Sequence, residues 1–501
     1  MLVSPGAVRL ARRRLPRTLG RHWLFVALFA AAVGLRAVVT VAYWPGLELF
    51  DDSYLYLANS QPLRPAIWHP AGYSIFLRAL SPVGHLGVVP VVQHLLGLGL
   101  AVLAYVFLLR LGVRRPLAAL GALPLLLDGY QLDIEQFVLA ETLVDALLLG
   151  GLTVLLWRPR TTTWRAAAAA LLLAAATLTR TAALPVLLVV GLYLLLKGRW
   201  RPLLAYTAVA VAALVGYGGW YAAANGYFGY SDYSGYFLYG RVAPLATCDY
   251  PLPGREASLC PTRPVSQRSQ SQEYYDYEPG SPLYQPGLGT HQQRNSLAKR
   301  FAEQVILHQP LAYAAAAAGD TWHYFTAGRW MDADRISIER SRFPSPDIGR
   351  EHDRLHVAFA NAGFGGRPVT ADVQPSLMDP LRRYQSIFYT QGPMLLAALL
   401  GAAAAGARLC RRNPSRGRER WCALVLAASG LVLAVGPSLT AGFSYRYEIP
   451  LLALLPLAGV IAADLGVDAL LRRRRQSSAL ALELARPDGR SPRPVSTNGP
   501  P

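Results

Sequence analysis

Long apolar runs alternate with short polar ones over most of the chain. Leu24 to Tyr43, Leu86 to Leu109, Phe137 to Trp157, Ala166 to Leu178, Ala182 to Leu196, Leu203 to Ala223, Pro393 to Ala407, Cys422 to Leu439 and Ile449 to Ala463 approach or reach the roughly 20 residues with which a helix crosses a bilayer. Pro116 to Leu127 is shorter and reads as a tilted third crossing. The pattern predicts an all-α polytopic membrane protein with about ten transmembrane helices. The polar run Asp128, Asp133, Glu135 after the third crossing reads as a tight external turn.

The rhythm breaks between residues 224 and 385, the one inter-helix segment long enough to fold on its own. The organisation expected is therefore a basic N-terminus over 1–22, a helical module over 23–223 with a first external loop at 45–85, a large mixed extracytoplasmic domain over 224–385, C-terminal helices over 386–466 and a disordered tail over 467–501. Within the large segment Asn295 to Leu307 has apolar Leu297, Phe301, Val305 and Ile306 on one face. It predicts an amphipathic helix capped by Asn295 or Ser296. Pro310 opens a second helix reaching about Thr326. The tyrosine-rich stretches GYFGYSDYSGYFLYG and EYYDYEPGSPLYQPG read as an interfacial belt in preference to a sugar-stacking platform.

Charge adds orientation. The 501 residues carry a formal charge of +19, and the basic residues cluster at Arg9 to Arg21, Arg110 to Arg115, Arg158 to Arg165, Lys197 to Arg201, Arg408 to Arg420 and Arg472 to Arg475. These lie between alternate crossings, where the positive-inside rule puts them in the cytoplasm. Both termini are then cytoplasmic, in a multi-pass protein of the plasma membrane whose basic loops meet membrane lipids. Nucleic acid is not an expected partner, since no recognition motif accompanies the charge. The first apolar stretch lacks a small-residue cleavage site and reads as a retained signal-anchor. Cys248 and Cys260 fall on the external side and suit a disulfide there.

The candidate chemistry gathers on that same face. Glu48, Asp51 and Asp52 form an acidic cluster in LELFDDSYLYLA, just past the first crossing. Carboxylates on the water side of the boundary can reach a lipid-borne substrate, and one of them can take a proton from an acceptor hydroxyl. The structural alternative is that Asp51 and Asp52 merely cap a helix over Ser53 to Asn59. His69 in IWHPAGY, Arg180 in LTRTAAL and Arg446 in FSYRYEIP stand at external boundaries. A guanidinium there can hold a phosphate or anchor at the headgroups. Glu135 and Glu141 flank the start of the fourth crossing and are further substrate-binding candidates. The cytoplasmic loops are too short for a nucleotide domain, and no Gly-rich phosphate loop, HExxH or CxxC pattern occurs. No cofactor is required and no metal site is expected, although a divalent cation with phosphate is compatible with the carboxylates.

Taken together, DDSYLYLA, HPAGY, EQFVLAETL, LTRTAALPVLL and SYRYEIPLLALLPLAG resemble the C-type integral-membrane glycosyltransferases. The resemblance is to the group with protein O-mannosyltransferases and the bacterial aminoarabinose transferase of lipid A, over residues 22–220 and 386–465. It implies an inverting transferase that takes a sugar from a polyprenyl-phosphate lipid on the extracytoplasmic face and passes it to a cell-envelope glycan, lipid or protein. The catalytic carboxylate of the family maps to Asp51 or Asp52. The family pair is usually Asp-Glu whereas here it is Asp-Asp, so the choice stays open, with Asp51 favoured. Two other classes compete: a transporter or flippase of a lipid-linked envelope precursor, which needs charges deep among the helices, and a scaffold in which the acidic cluster is dispensable.

Overall fold

The computed structural model describes residues 20–47, 50–269, 272–329, 342–344, 364, 372–410 and 416–484. The first half runs α1 Trp23–Ala42, β1 Tyr43–Trp44, α2 Phe50–Ala58, α3 Gly72–Leu80, α4 Val88–Arg110, α5 Arg115–Gly121, α6 Leu123–Leu127, α7 Gly129–Gln136, α8 Glu141–Leu156, α9 Thr163–Thr179, α10 Leu184–Leu196 and α11 Trp200–Asn225. The second runs α12 Ser234–Val242, α13 Gln272–Tyr277, α14 His291–His308, α15 Pro310–His323, β2 Asp372–Val373, α16 Pro375–Ile387, α17 Gly392–Ala407, α18 Gly417–Thr440 and α19 Ile449–Leu484.

Among the described residues, six helical segments are long and apolar enough to cross a membrane: Trp23–Ala42, Val88–Arg110, Trp200–Asn225, Pro375–Ala407, Gly417–Thr440 and Tyr445–Ser478. Thr163–Thr179 and Thr181–Leu196 are apolar but shorter. Side chains such as Leu188, Leu195, Leu204 and Leu400 point outward and are exposed, a surface whose natural solvent is hydrocarbon. Small residues set the closest packing. A Cβ on Gly459 of α19 would lie 2.7 Å from Ala398 of α17, and one on Gly151 of α8 would lie 3.1 Å from Leu173 of α9.

The third expected crossing is not one helix. Pro116 and Pro124 each start a short piece, and Asp128 then caps α7 by accepting the Tyr130 and Gln131 amides. The carbonyls of Leu125 and Leu126 accept hydrogen bonds from Arg36 of α1, each at 2.9 Å. Glu135 of α7 pairs with the same guanidinium at 2.8 Å and with His94 of α4 at 2.8 Å. The expected external turn is therefore a buried helix, and its acidic residues lie inside the bundle. Gly97 makes this possible, because a Cβ there would come within 1.9 Å of Glu135 Oε1.

The large segment divides in two. Tyr236, Tyr239, Leu259, Leu297, Phe301 and Val305 form a small core of their own, and a disulfide joins Cys248 to Cys260 beside it. Met378 and Leu381 of α16 belong instead to the core of the bundle. The described part of 224–385 is helical rather than mixed. Its one strand, β2, pairs antiparallel with β1, Tyr43 opposite Val373 and Trp44 opposite Asp372. Helix α14 begins at His291, earlier than the Asn295 expected, because Thr290 and Gln293 form a capping box. Asn295 instead accepts the Gly235 amide at 2.7 Å, tying α14 to α12. The tail also departs from expectation. Helix α19 continues to Leu484, anchored where Arg114 and Arg416 both reach Asp464, at 2.6 and 2.8 Å.

Candidate active site

Helix α2 begins at Phe50, so Asp52 lies within its first turn, where the helix dipole favours a carboxylate. Both oxygens of Asp52 are taken by side chains, which sets aside the capping alternative for this residue. Oδ1 is 2.8 Å from His69 Nε2, and Oδ2 accepts from Arg446 Nη1 at 2.6 Å. Tyr56, one turn along α2, stacks on the His69 ring with centroids 5.0 Å apart. The spacing of Asp52 and Tyr56 is the i, i+4 relation that puts two side chains on one helix face.

Arg446 turns its other edge to Glu141, with Nε at 2.9 Å and Nη2 at 2.8 Å from Oε1. Arg180 donates to the same oxygen and lies over the Tyr447 ring at 5.2 Å. Glu141 Oε2 has no hydrogen-bond partner among the described residues. Two carboxylates and two guanidiniums thus sum to no net charge around one shared oxygen. The arrangement is sided: Glu141 is 2% exposed, Asp52 25%. A ligand therefore reaches the cluster past Asp52 and the arginines.

Each of these positions has a local cause. Arg180 ends α9 in an extended conformation, and α10 starts afresh with Pro185 in its first turn, a place that suits proline because no helical partner awaits its missing amide. Arg446 rides on a 3-10 turn, Tyr445–Glu448, whose start is capped by Ser444. Ser53 Oγ donates to the Val138 carbonyl at 2.9 Å, and the Leu47 amide to the Gln136 carbonyl at 3.0 Å, binding the acidic loop to the chain that leads into α8. The loop bearing His69 is held from the other side. The Asp232 amide donates to the Ile67 carbonyl at 2.6 Å, and Trp68 stacks on Tyr233 at 3.7 Å.

Electrostatics follow from the geometry. Burial pushes the Asp52 carboxyl up, but the Arg446 guanidinium and His69 outweigh it and hold the group well below the usual carboxylate range. Asp52 is a carboxylate and, while so paired, a weak base.

Of the residues singled out in the sequence, the structure brings together Asp52, His69, Glu141, Arg180 and Arg446. Glu135 is not with them; it is bound to Arg36 and His94. Glu48 lies outside the described residues, as does the Asp51 side chain. Tyr56 and Tyr447 were missed, though each stands at a legible offset from a chosen residue. Asp145 was missed too. It lies one turn below Glu141, fully buried, with neither carboxylate oxygen partnered among the described residues. Among those residues no group of three or more His, Cys, Asp or Glu is arranged to hold a metal.

No family model matches the sequence, and no curated protein matches it. Among solved structures the chain is similar to the crystal structure of ArnT from Cupriavidus metallidurans in the apo state, at 14% identity over 87% of this chain and 77% of that one. The TM-score is 0.33, too low for function to be carried from one chain to the other.

Proposed function

We propose that the protein is a multi-pass glycosyltransferase of the plasma membrane that moves a sugar from a polyprenyl-phosphate lipid to a cell-envelope acceptor on the extracytoplasmic face. The observation that carries the reading is that Asp52 shares Arg446 with Glu141 while His69 holds its other oxygen. An arriving lipid phosphate competes for the Arg446 and Arg180 guanidiniums, whose forked donors suit it. Arg446 then turns from Asp52, the Oδ2 atom is freed, and the carboxylate becomes a better base. His69, fixed by Tyr56, keeps Oδ1 in place.

The acceptor hydroxyl oxygen attacks the anomeric carbon, and its proton passes to Asp52. The bond from that carbon to the phosphate oxygen breaks, and the electron pair leaves with polyprenyl phosphate. Attack from the face opposite the leaving group inverts the anomeric centre. Both arginines stabilise the departing phosphate. With two guanidiniums assigned to it, a divalent cation is a variable to be tested rather than a part of the scheme.

The test is release of label from a panel of radiolabelled polyprenyl-phosphate sugars by the purified protein, with and without divalent cation. One accepted donor is expected. Asp52→Asn should lower transfer by about a hundredfold or more, the scale of lost general-base catalysis, with Asp51→Asn as its comparison. Full activity in Asp52→Asn overturns the assignment.

One observation favours a lipid-precursor transporter: the buried Asp145 within α8, unpartnered among the described residues, since ionisable groups inside a membrane mark transport pathways. That reading predicts lipid flipping in proteoliposomes that is lost in Asp145→Asn and kept in Asp52→Asn.

A further inference from the structure

The 3-10 turn Tyr445–Glu448 has three distinct sides. With roughly three residues per turn, positions i and i+3 eclipse one another, so Tyr445 and Glu448 share one edge while Arg446 and Tyr447 face elsewhere. Arg446 reaches Asp52 and Glu141, and Tyr447 lies beneath Arg180. The third edge is held by Arg329.

Arg329 Nη1 is 2.7 Å from Glu448 Oε2, and both side chains are largely buried. Its guanidinium carbon lies 4.4 Å from the centre of the Tyr445 ring, 3.6 Å from that of Tyr130 and 4.6 Å from that of Tyr389. Three rings and a carboxylate thus enclose one cation, each ring contact favourable in its own right. The anchors come from different elements: Tyr130 is in α7, capped by Asp128, and Asp128 Oδ2 also accepts the Thr390 amide at 2.6 Å, next to Tyr389. Arg329 itself follows Gly328, whose φ of +75° turns the chain; the Gly328 amide donates to Gln391 Oε1 at 3.3 Å.

We infer that Arg329 is a positioning residue: by gripping Tyr445 and Glu448 together it fixes the rotation of the turn, and so aims Arg446 at Asp52 and Glu141. Among the described residues the partners of Arg329 are Glu448, Tyr130, Tyr389 and Tyr445, none of them in the cluster itself. Its planar fork matters as well as its charge, since a lysine there keeps the ion pair but cannot stack flat between rings. The effect on turnover rests on the proposed transferase reading, whereas the effect on the Asp52 to Arg446 contact does not.

The experiment uses full-length protein in detergent. Thermal unfolding of the native protein, Asp52→Asn, Arg446→Gln and their double variant gives a cycle whose coupling reports the contact. The cycle is repeated with Arg329→Gln, Arg329→Lys and Tyr389→Leu as backgrounds. Loss of the coupling is expected in Arg329→Gln, partial retention in Arg329→Lys and a reduced coupling in Tyr389→Leu. Coupling unchanged in Arg329→Gln overturns the inference. If that variant does not fold, unchanged coupling in Tyr389→Leu overturns it instead. In the transfer assay Arg329→Gln should lose on the order of a hundredfold in turnover, the scale of a misplaced group, with no further loss when combined with Arg446→Gln. Native turnover in Arg329→Gln also overturns it. If the native protein transfers nothing from any donor, the transferase reading fails and the coupling decides Arg329 alone.

Discussion

Asp52 and Arg446 lie 394 positions apart in the chain and meet at 2.6 Å. This contact joins the segment that follows α1 and β1 to the start of the last long helix, and it governs the protonation of the proposed base. Burial raises the Asp52 pKa, Arg446 and His69 lower it more, and the folded value lies below the ordinary one. The ionised group therefore contributes stability above its unfolded pKa, and that contribution is lost only as pH falls through the lower folded value. Arg446→Gln removes the larger lowering influence and leaves burial in place, so the folded pKa rises. The acid limb of the transfer profile should move toward neutral pH, whereas melting temperature, lower than native at neutral pH, should fall less steeply with acid because Asp52 contributes less to the slope. Profiles of rate and melting temperature against pH check this; an acid limb that stays put means another group titrates.

Glu135 should behave as a structural residue. Its carboxylate is fully buried and satisfied by Arg36 and His94, and Arg36 also closes the carbonyls at the end of α6. Removing one partner of a buried ion pair strands the other, at a cost of about 3–5 kcal/mol. Arg36→Met and Glu135→Gln are each expected to lower melting temperature and yield while the folded fraction keeps its turnover. A large loss of turnover in Glu135→Gln with unchanged melting would return this residue to the substrate site.

Gly72 controls the approach of the first loop to Arg180. A Cβ there would sit 2.5 Å from Thr179 Oγ1, 2.6 Å from the Leu178 carbonyl and 2.8 Å from Thr179 Cα. Two of these are backbone atoms directly before Arg180, so the end of α9 has to shift. Gly72→Ala should cost about 1–3 kcal/mol as an overpacked contact and lower turnover well beyond that loss of stability. Gly84→Ala, where nothing lies within 4 Å but φ is +74°, serves as a control that strains the backbone without moving Arg180.

The helical membrane character was legible because apolar runs near the length of a bilayer are a strong signal, and the boundary positions of Asp52, His69, Glu141, Arg180 and Arg446 followed from where those runs stop. Glu135 misled because polarity next to an apolar run looks external until a partner is known, and Arg36 stands 99 positions away. The break into α5, α6 and α7 was half visible in Pro116 and Pro124. What fills the break, a guanidinium donating to two carbonyls, is a tertiary event that no local pattern reports. Asp145 was hidden for the converse reason, since one aspartate in an apolar run barely changes its hydropathy. Arg329 was passed over because its cage is assembled from Tyr130, Tyr389 and Tyr445, three separate stretches of chain.

The Cys248–Cys260 disulfide offers a direct test of the proposed orientation. It closes a short loop beside the small core of α12 and α14, and such a bond persists on the oxidising side of a membrane. With Cys410→Ser and Cys422→Ser as background, a membrane-impermeant maleimide added to intact cells should react only after treatment with an impermeant reductant. Reaction only after lysis would put the segment on the cytoplasmic side and with it the Asp52 face, whereas reaction in intact cells without reduction would keep it outside and remove the disulfide. Cys248→Ser should also destabilise the small core by about 2–4 kcal/mol, the usual worth of such a bond. The bundle holds its own core through α1, α4, α8 and α19, so proteolysis should become faster within 233–305 while the long helices stay protected.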